Sequence, residues 1–158
     1  MSNDIDDQME LGEVTITRIY EAPRELVWEC MVTPEHLTHF WGPPGISTPL
    51  EDIVIEPWVG GRFDTVMVMD ATGERFPNTG FFVEVDPPAK LSFSETGAAD
   101  GMITVSTFTD LGNNRTEVVI HQRNVPAMYR SPEALAGFNA SLDRFVEYLA
   151  TLQRPAAG

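Results

Sequence analysis

The stretch from Ser131 to Leu152 constrains the rest of the chain more than any other. Leu135, Phe138, Leu142, Phe145, Leu149 and Leu152 recur at steps of three and four, which places them on one face of an α-helix. Ser131-Pro132 supplies a start: a hydroxyl able to cap free amides, then a proline whose fixed φ suits the first turn. Glu133 adds negative charge at the positive end of the helix dipole. The opposite face carries Asn139, Asp143, Arg144 and Glu147. A coiled-coil seam is the alternative, since the spacing also fits about three heptads. A helix with one broad apolar stripe needs an apolar partner of matching size, and upstream the chain offers only strands.

A chain of 158 residues corresponds to one domain, able to bury about two thirds of its unfolded surface. No apolar run approaches the ~18 residues that span a bilayer, and the N-terminus lacks a secretory pattern. A single cysteine, Cys30, precludes an internal disulfide, and the expected compartment is the cytoplasm. The net charge of −14 repels phosphate backbones and anionic lipid, so neither a nucleic-acid partner nor membrane insertion is expected.

Residues 1–12, with Asp4, Asp6, Asp7 and Glu10, read as a flexible acidic tail. A single domain is expected over 13–153, followed by a short tail over 154–158. Val14 to Tyr20 alternates as a strand with one buried side, which Ala22-Pro23 ends. Pro23 opens a short helix with Leu26, Val27, Cys30 and Met31 inward, and Thr33-Pro34 starts a second over Glu35 to Phe40. Trp41-Gly-Pro-Pro-Gly45 is loop, because its prolines lack amide donors and its glycines favour turns. From Glu51 the period becomes two. Strands are expected over Glu51–Glu56, Arg62–Met69, Glu74–Val85, Lys90–Glu95, Met102–Thr109 and Arg115–Arg123, with hairpin-sized breaks between them. A twisted antiparallel sheet wrapped around one helix leaves space wherever side chains do not meet, and that space is the expected functional site.

Five stretches carry a family resemblance: Ile16 to Trp28, Thr33-Pro-Glu-His-Leu37, Phe40-Trp-Gly-Pro-Pro-Gly45, Gly60-Gly-Arg-Phe63 and Leu142-Asp-Arg-Phe145. In this order they resemble the AHSA1-like (activator of Hsp90 ATPase homologue 1-like) branch of the SRPBCC, or START/Bet v 1-like, superfamily. The resemblance implies an α+β helix-grip fold. A seven-stranded antiparallel sheet would wrap a long C-terminal helix, with two short helices after the first strand and a cavity between sheet and helix. The superfamily includes lipid and hormone carriers, polyketide cyclases, an antibiotic-sequestering protein and a co-chaperone domain, and a shared fold transfers none of these activities. Two departures are visible. Phe138 stands where many relatives carry tryptophan, and Gln122 stands where many end the last strand with histidine. His121 has the opposite parity to Val118 and Ile120 and should face solvent.

Soft and aromatic residues between sheet and helix make adaptable apolar pockets, which selects Met67, Phe93, Phe138 and Phe145, with Leu142 beside them. Phe63 and Thr65 share the face of Met67, while Arg62 and Asp64 share the other as an exposed pair. Phe40 and Trp41 lead into a loop expected at the mouth. Trp58, another indole beside glycines, is placed with them, and Gln122 completes the lining set. His36 and His39 are neighbours on one helix face, but no third ligand stands at a fixed offset, and no metal site is assigned. Cys30 reads as a small buried hydrophobe. No nucleophile elbow, phosphate loop, dinucleotide fingerprint or zinc spacing occurs, so no cofactor is implied and no catalytic group is named.

The leading expectation is therefore a binding module for an apolar or amphipathic small molecule. The alternative is a polyketide-cyclase or hydrolase-like enzyme using the same cavity, which needs two ionisable groups inside it. Thr65, Gln122, Tyr148 and His39 are the polar candidates for that role. A co-chaperone with an Hsp90-type partner is the third reading. Homodimerisation through an exposed edge strand is a further option.

Overall fold

The computed structural model describes residues 11–95 and 101–153. The acidic segment 1–10, residues 96–100, expected as a break between strands, and residues 154–158 lie outside the described residues. Strand β1 (Leu11–Tyr20) starts ahead of the expected Val14, so Leu11 and Gly12 belong to the sheet. Helices α1 (Arg24–Val32) and α2 (Pro34–Leu37) follow. Strands β2 (Ile46–Ser47), β3 (Val54–Ile55), β4 (Phe63–Met69), β5 (Arg75–Asn78), β6 (Phe81–Asp86), β7 (Lys90–Ser94), β8 (Ile103–Gly112) and β9 (Arg115–Pro126) precede the long helix α3 (Pro132–Gln153).

All strand pairings among the described residues are antiparallel. One sheet runs in the order β1-β9-β8-β7-β6, and β4 pairs with β2, β3 and β5. Backbone bonds from Gly60 N to Phe82 O (2.8 Å), Phe82 N to Gly61 O (2.9 Å) and Phe63 N to Gly80 O (2.9 Å) join the two groups into one curved surface. The expected seven strands are subdivided for local reasons. Residues Leu50–Asp52 form a 3₁₀ turn rather than strand, because the turn closes with an Ile53 N bond to Leu50 O. The expected strand Glu74–Val85 breaks at Gly80, where an added Cβ would lie 2.9 Å from Ser94 O. Pro77, which has no amide to donate, sits in the exposed strand β5. Gly61 packs so tightly that a Cβ there would collide with the carbonyl oxygen of Glu56. In the β8–β9 hairpin Asn113 and Asn114 adopt φ of 56° and 58°, the pair of positive angles a type I′ turn requires.

Helix α3 starts where expected. Ser131 Oγ accepts from Ala134 N at 3.1 Å, and Leu142, Phe145 and Leu149 are buried against the sheet. Leu152 is half exposed at the helix end. The far side of α3 is less solvated than its polarity suggested. Arg18 of β1 donates to Asp143 Oδ1 at 2.9 Å and to Asn139 O at 3.1 Å, which ties the first strand to the helix. Val27, Cys30, Leu37 and Phe40 close one end of the core, and Phe82, Leu91, Phe108, Val118 and Ile120 floor it.

Candidate functional site

Alternation in the strands sets the concave wall. From β4 it takes Phe63, Thr65 and Met67; from β7, Leu91 and Phe93; from β9, Val118, Ile120 and Gln122. Opposite them stand Phe138, Leu142 and Phe145 of α3. Between sheet and helix lies a hollow of about 570 Å³, lined mostly by apolar atoms. A second space of about 310 Å³ shares Trp41, Phe63, Met67, Phe93 and Phe138 with it and extends toward Asn78, Thr79 and Thr65. The space exists because Ala134, Gly137 and Ser141, small residues on the inner side of α3, do not reach the sheet. A Cβ added at Gly137 would meet no atom within 4 Å.

Rings set the shape. Phe63 stacks on Phe93 (centroids 4.8 Å apart, planes 20°) and meets Trp41 edge-on at 5.4 Å. Phe40 stacks on Phe145 at 4.3 Å, and Tyr20 meets Phe145 edge-on at 4.9 Å. The Phe40–Ile46 loop lends Trp41, Gly42 and Pro43 to the lining and is pinned to α3. Arg144 Nη1 donates to Gly42 O at 2.7 Å, Pro43 O at 3.1 Å and Ile46 O at 3.2 Å. Thr38 Oγ1 donates to Thr48 O, and Thr48 Oγ1 to Trp41 O. The lining residues that are also exposed are Tyr129 and Glu133 near the start of α3, with Asn78 and Thr79 across from them.

Of the residues expected to line the site, Phe40, Trp41, Phe63, Met67, Phe93, Gln122, Phe138, Leu142 and Phe145 surround the larger space, and Thr65 faces the smaller. Trp58 does not join them. It is 58 % exposed in a turn tied to Glu56 and Gly61, on a path that carries it away from the concave face. Tyr148 and His39 do not line the hollow either. Tyr148 Oη and His36 Nδ1 share a hydrogen bond of 2.6 Å, and the His39 ring stacks on Tyr148 at 4.9 Å. Those contacts account for both histidines. His121 faces outward, 2.8 Å from Glu13, as its parity requires. Arg62 pairs with Asp64 across one step of β4.

Glu95 and Thr104 are among the polar lining residues that escaped sequence reasoning. Glu95 lines both spaces, and the signal was available, because it is one two-residue step beyond Leu91 and Phe93. Burial pushes its carboxyl above the ordinary glutamate value. Thr104 belongs to the lining too, with its Oγ1 accepting from Gln122 Nε2 at 3.2 Å. The Tyr20 hydroxyl is buried without a hydrogen-bond partner among the described residues, and desolvation pushes it up to about 12.

An antiparallel sheet closed around one C-terminal helix, with an apolar hollow between them, defines a helix-grip protein of the Bet v 1 type. The family model described as "Activator of Hsp90 ATPase homolog 1-like protein" matches residues 21–150, and the chain belongs to that family. Solved structures share the fold. A protein from Nitrosomonas europaea superposes with a TM-score of 0.78 at 22% identity, covering 89% of this chain and 96% of that one. The AHSA1-like protein from Aeromonas hydrophila gives 0.74 at 23% identity, with 93% and 98% covered. The AHSA1 protein from Silicibacter pomeroyi gives 0.75 at 19% identity, with 90% and 100% covered. A search of curated proteins found no match. No helix among the described residues is long and apolar enough to cross a membrane.

Proposed function

We propose that this protein binds an apolar or amphipathic small molecule in the space between its sheet and α3. The observation that carries the reading is the space itself. At about 570 Å³ it falls within the range of small-molecule sites, and its walls are aromatic, methionine and aliphatic side chains with a few separated polar groups. Aromatic faces and Met67 adapt to guests of different outline, and burial of guest surface supplies the affinity. The polar lining groups Gln122, Thr104 and Glu95 are placed to orient a guest.

Native mass spectrometry of the full chain, purified without organic solvent, tests this directly. A discrete added mass that disappears on denaturation is the expected result. An unliganded mass, together with no uptake of the neutral apolar dye Nile red, would overturn the reading.

A further inference from the structure

We infer that the guest of this hollow is an apolar molecule bearing an amine, whose protonated nitrogen sits against the Glu95 carboxylate. The inference rests on the binding function proposed above and narrows its ligand class. Glu95 faces both the larger and the smaller space. Its carboxylate has no hydrogen-bond or ion-pair partner among the described residues, although the residue is partly buried. Such a group holds unused acceptor capacity where burial limits its hydration, and a donor supplied by the guest would satisfy it. Gln122 adds to this, since its amide nitrogen is directed to Thr104 while its side-chain carbonyl oxygen accepts from no donor among the described residues.

The charge of the lining points the same way. Among the described residues no lysine, arginine or histidine lines either space, and the charged side chains there are Glu95 and Glu133. A guest carboxylate or phosphate would therefore meet like charge without a counter-ion, in a chain of net charge −14. A neutral alcohol would avoid the repulsion. An ammonium would supply the missing cation and form a charge-assisted hydrogen bond. The raised carboxyl of Glu95, a consequence of burial, is the state that such a partner would relieve.

The test is displacement of Nile red from the full chain by decylamine, 1-decanol and decanoate, which share one tail and differ in the head. The expected order of affinity is amine, alcohol, carboxylate. Glu95→Gln should lower the amine-to-alcohol affinity ratio by about tenfold, the size of one charge-assisted bond. Glu147→Gln, which removes the same charge from the exposed side of α3, should leave that ratio unchanged. Decanoate binding as tightly as decylamine, or a ratio untouched by Glu95→Gln, would overturn the amine inference while leaving a binding protein. If neither the dye nor any of the three binds, the hollow takes no guest and both proposals fall.

Discussion

Arg144 and Gly42, separated by most of the chain, meet through a 2.7 Å hydrogen bond from the guanidinium to the glycine carbonyl. The same nitrogen reaches the carbonyls of Pro43 and Ile46, so one side chain of α3 holds the loop that walls the hollow. Arg144→Met keeps the aliphatic stem and removes every donor. A loss of about 1–3 kcal/mol in urea denaturation is expected, because bonds from a charged donor vanish and partly buried carbonyls are left to water. Nile red should also enter and leave faster by stopped flow. Unchanged stability and exchange would mean that the loop holds its place without this pin.

Gly137 lies inside α3 beside open space, where a methyl group meets nothing within 4 Å. Gly137→Ala should stabilise the protein by roughly 0.5–1 kcal/mol, the usual helix-interior gain. Gly137→Leu should extend into the space and abolish Nile red uptake while far-ultraviolet circular dichroism stays native. A destabilising alanine would show that the position is packed.

Phe145 is fully buried between Phe40 and Tyr20, and Leu142 is buried one turn earlier. Phe145→Ala should cost about 3–5 kcal/mol and Leu142→Ala about 2–5 kcal/mol. Phe138→Ala, at a half-buried position on the hollow, should cost less than Phe145→Ala. Denaturation midpoints that do not move would contradict the inner face assigned to α3.

Glu95 binds its proton more tightly in the folded chain than in the unfolded one, because burial penalises the carboxylate. Its favourable contribution is complete below the ordinary glutamate pKa and is lost as pH rises through the higher folded value. Glu95→Gln should therefore be more stable than the parent at neutral pH, with the gap closing in acid. Thermal unfolding followed from about pH 4 to about pH 8 reads this. A gap that stays constant across that range would place the carboxylate in full contact with water.

Cys30 is wholly buried, and desolvation pushes its thiol to about 12. Both effects suppress the thiolate that attacks disulfide reagents. At about pH 8, labelling of the native chain by Ellman's reagent should run on the order of 100-fold slower than labelling in denaturant, since it waits for local opening. Equal rates would mean an exposed thiol.

Much of the fold was legible because periodicity is local. The step of three and four in Leu142, Phe145 and Leu149 identified α3 and its inner side, and the step of two in Phe63, Thr65 and Met67 identified the inner side of β4. The same step was sufficient to place Glu95 beside Phe93. Trp58 could not be placed by period, because it stands in a turn whose path follows from backbone bonds among Glu56, Trp58 and Gly61. Arg144 looked solvated because its partners are backbone carbonyls, which carry no mark in a sequence.

The sequence by itself determined most of the elements and their order, and the inner sides of α3 and β4. Only the tertiary structure decided where those sides fail to touch. That outcome depends on pairings distant in the chain, such as Tyr20 of β1 opposite Thr116 of β9, and on small residues of α3 facing a curved sheet. A void is a difference between large volumes contributed by separate segments, so no single stretch encodes it.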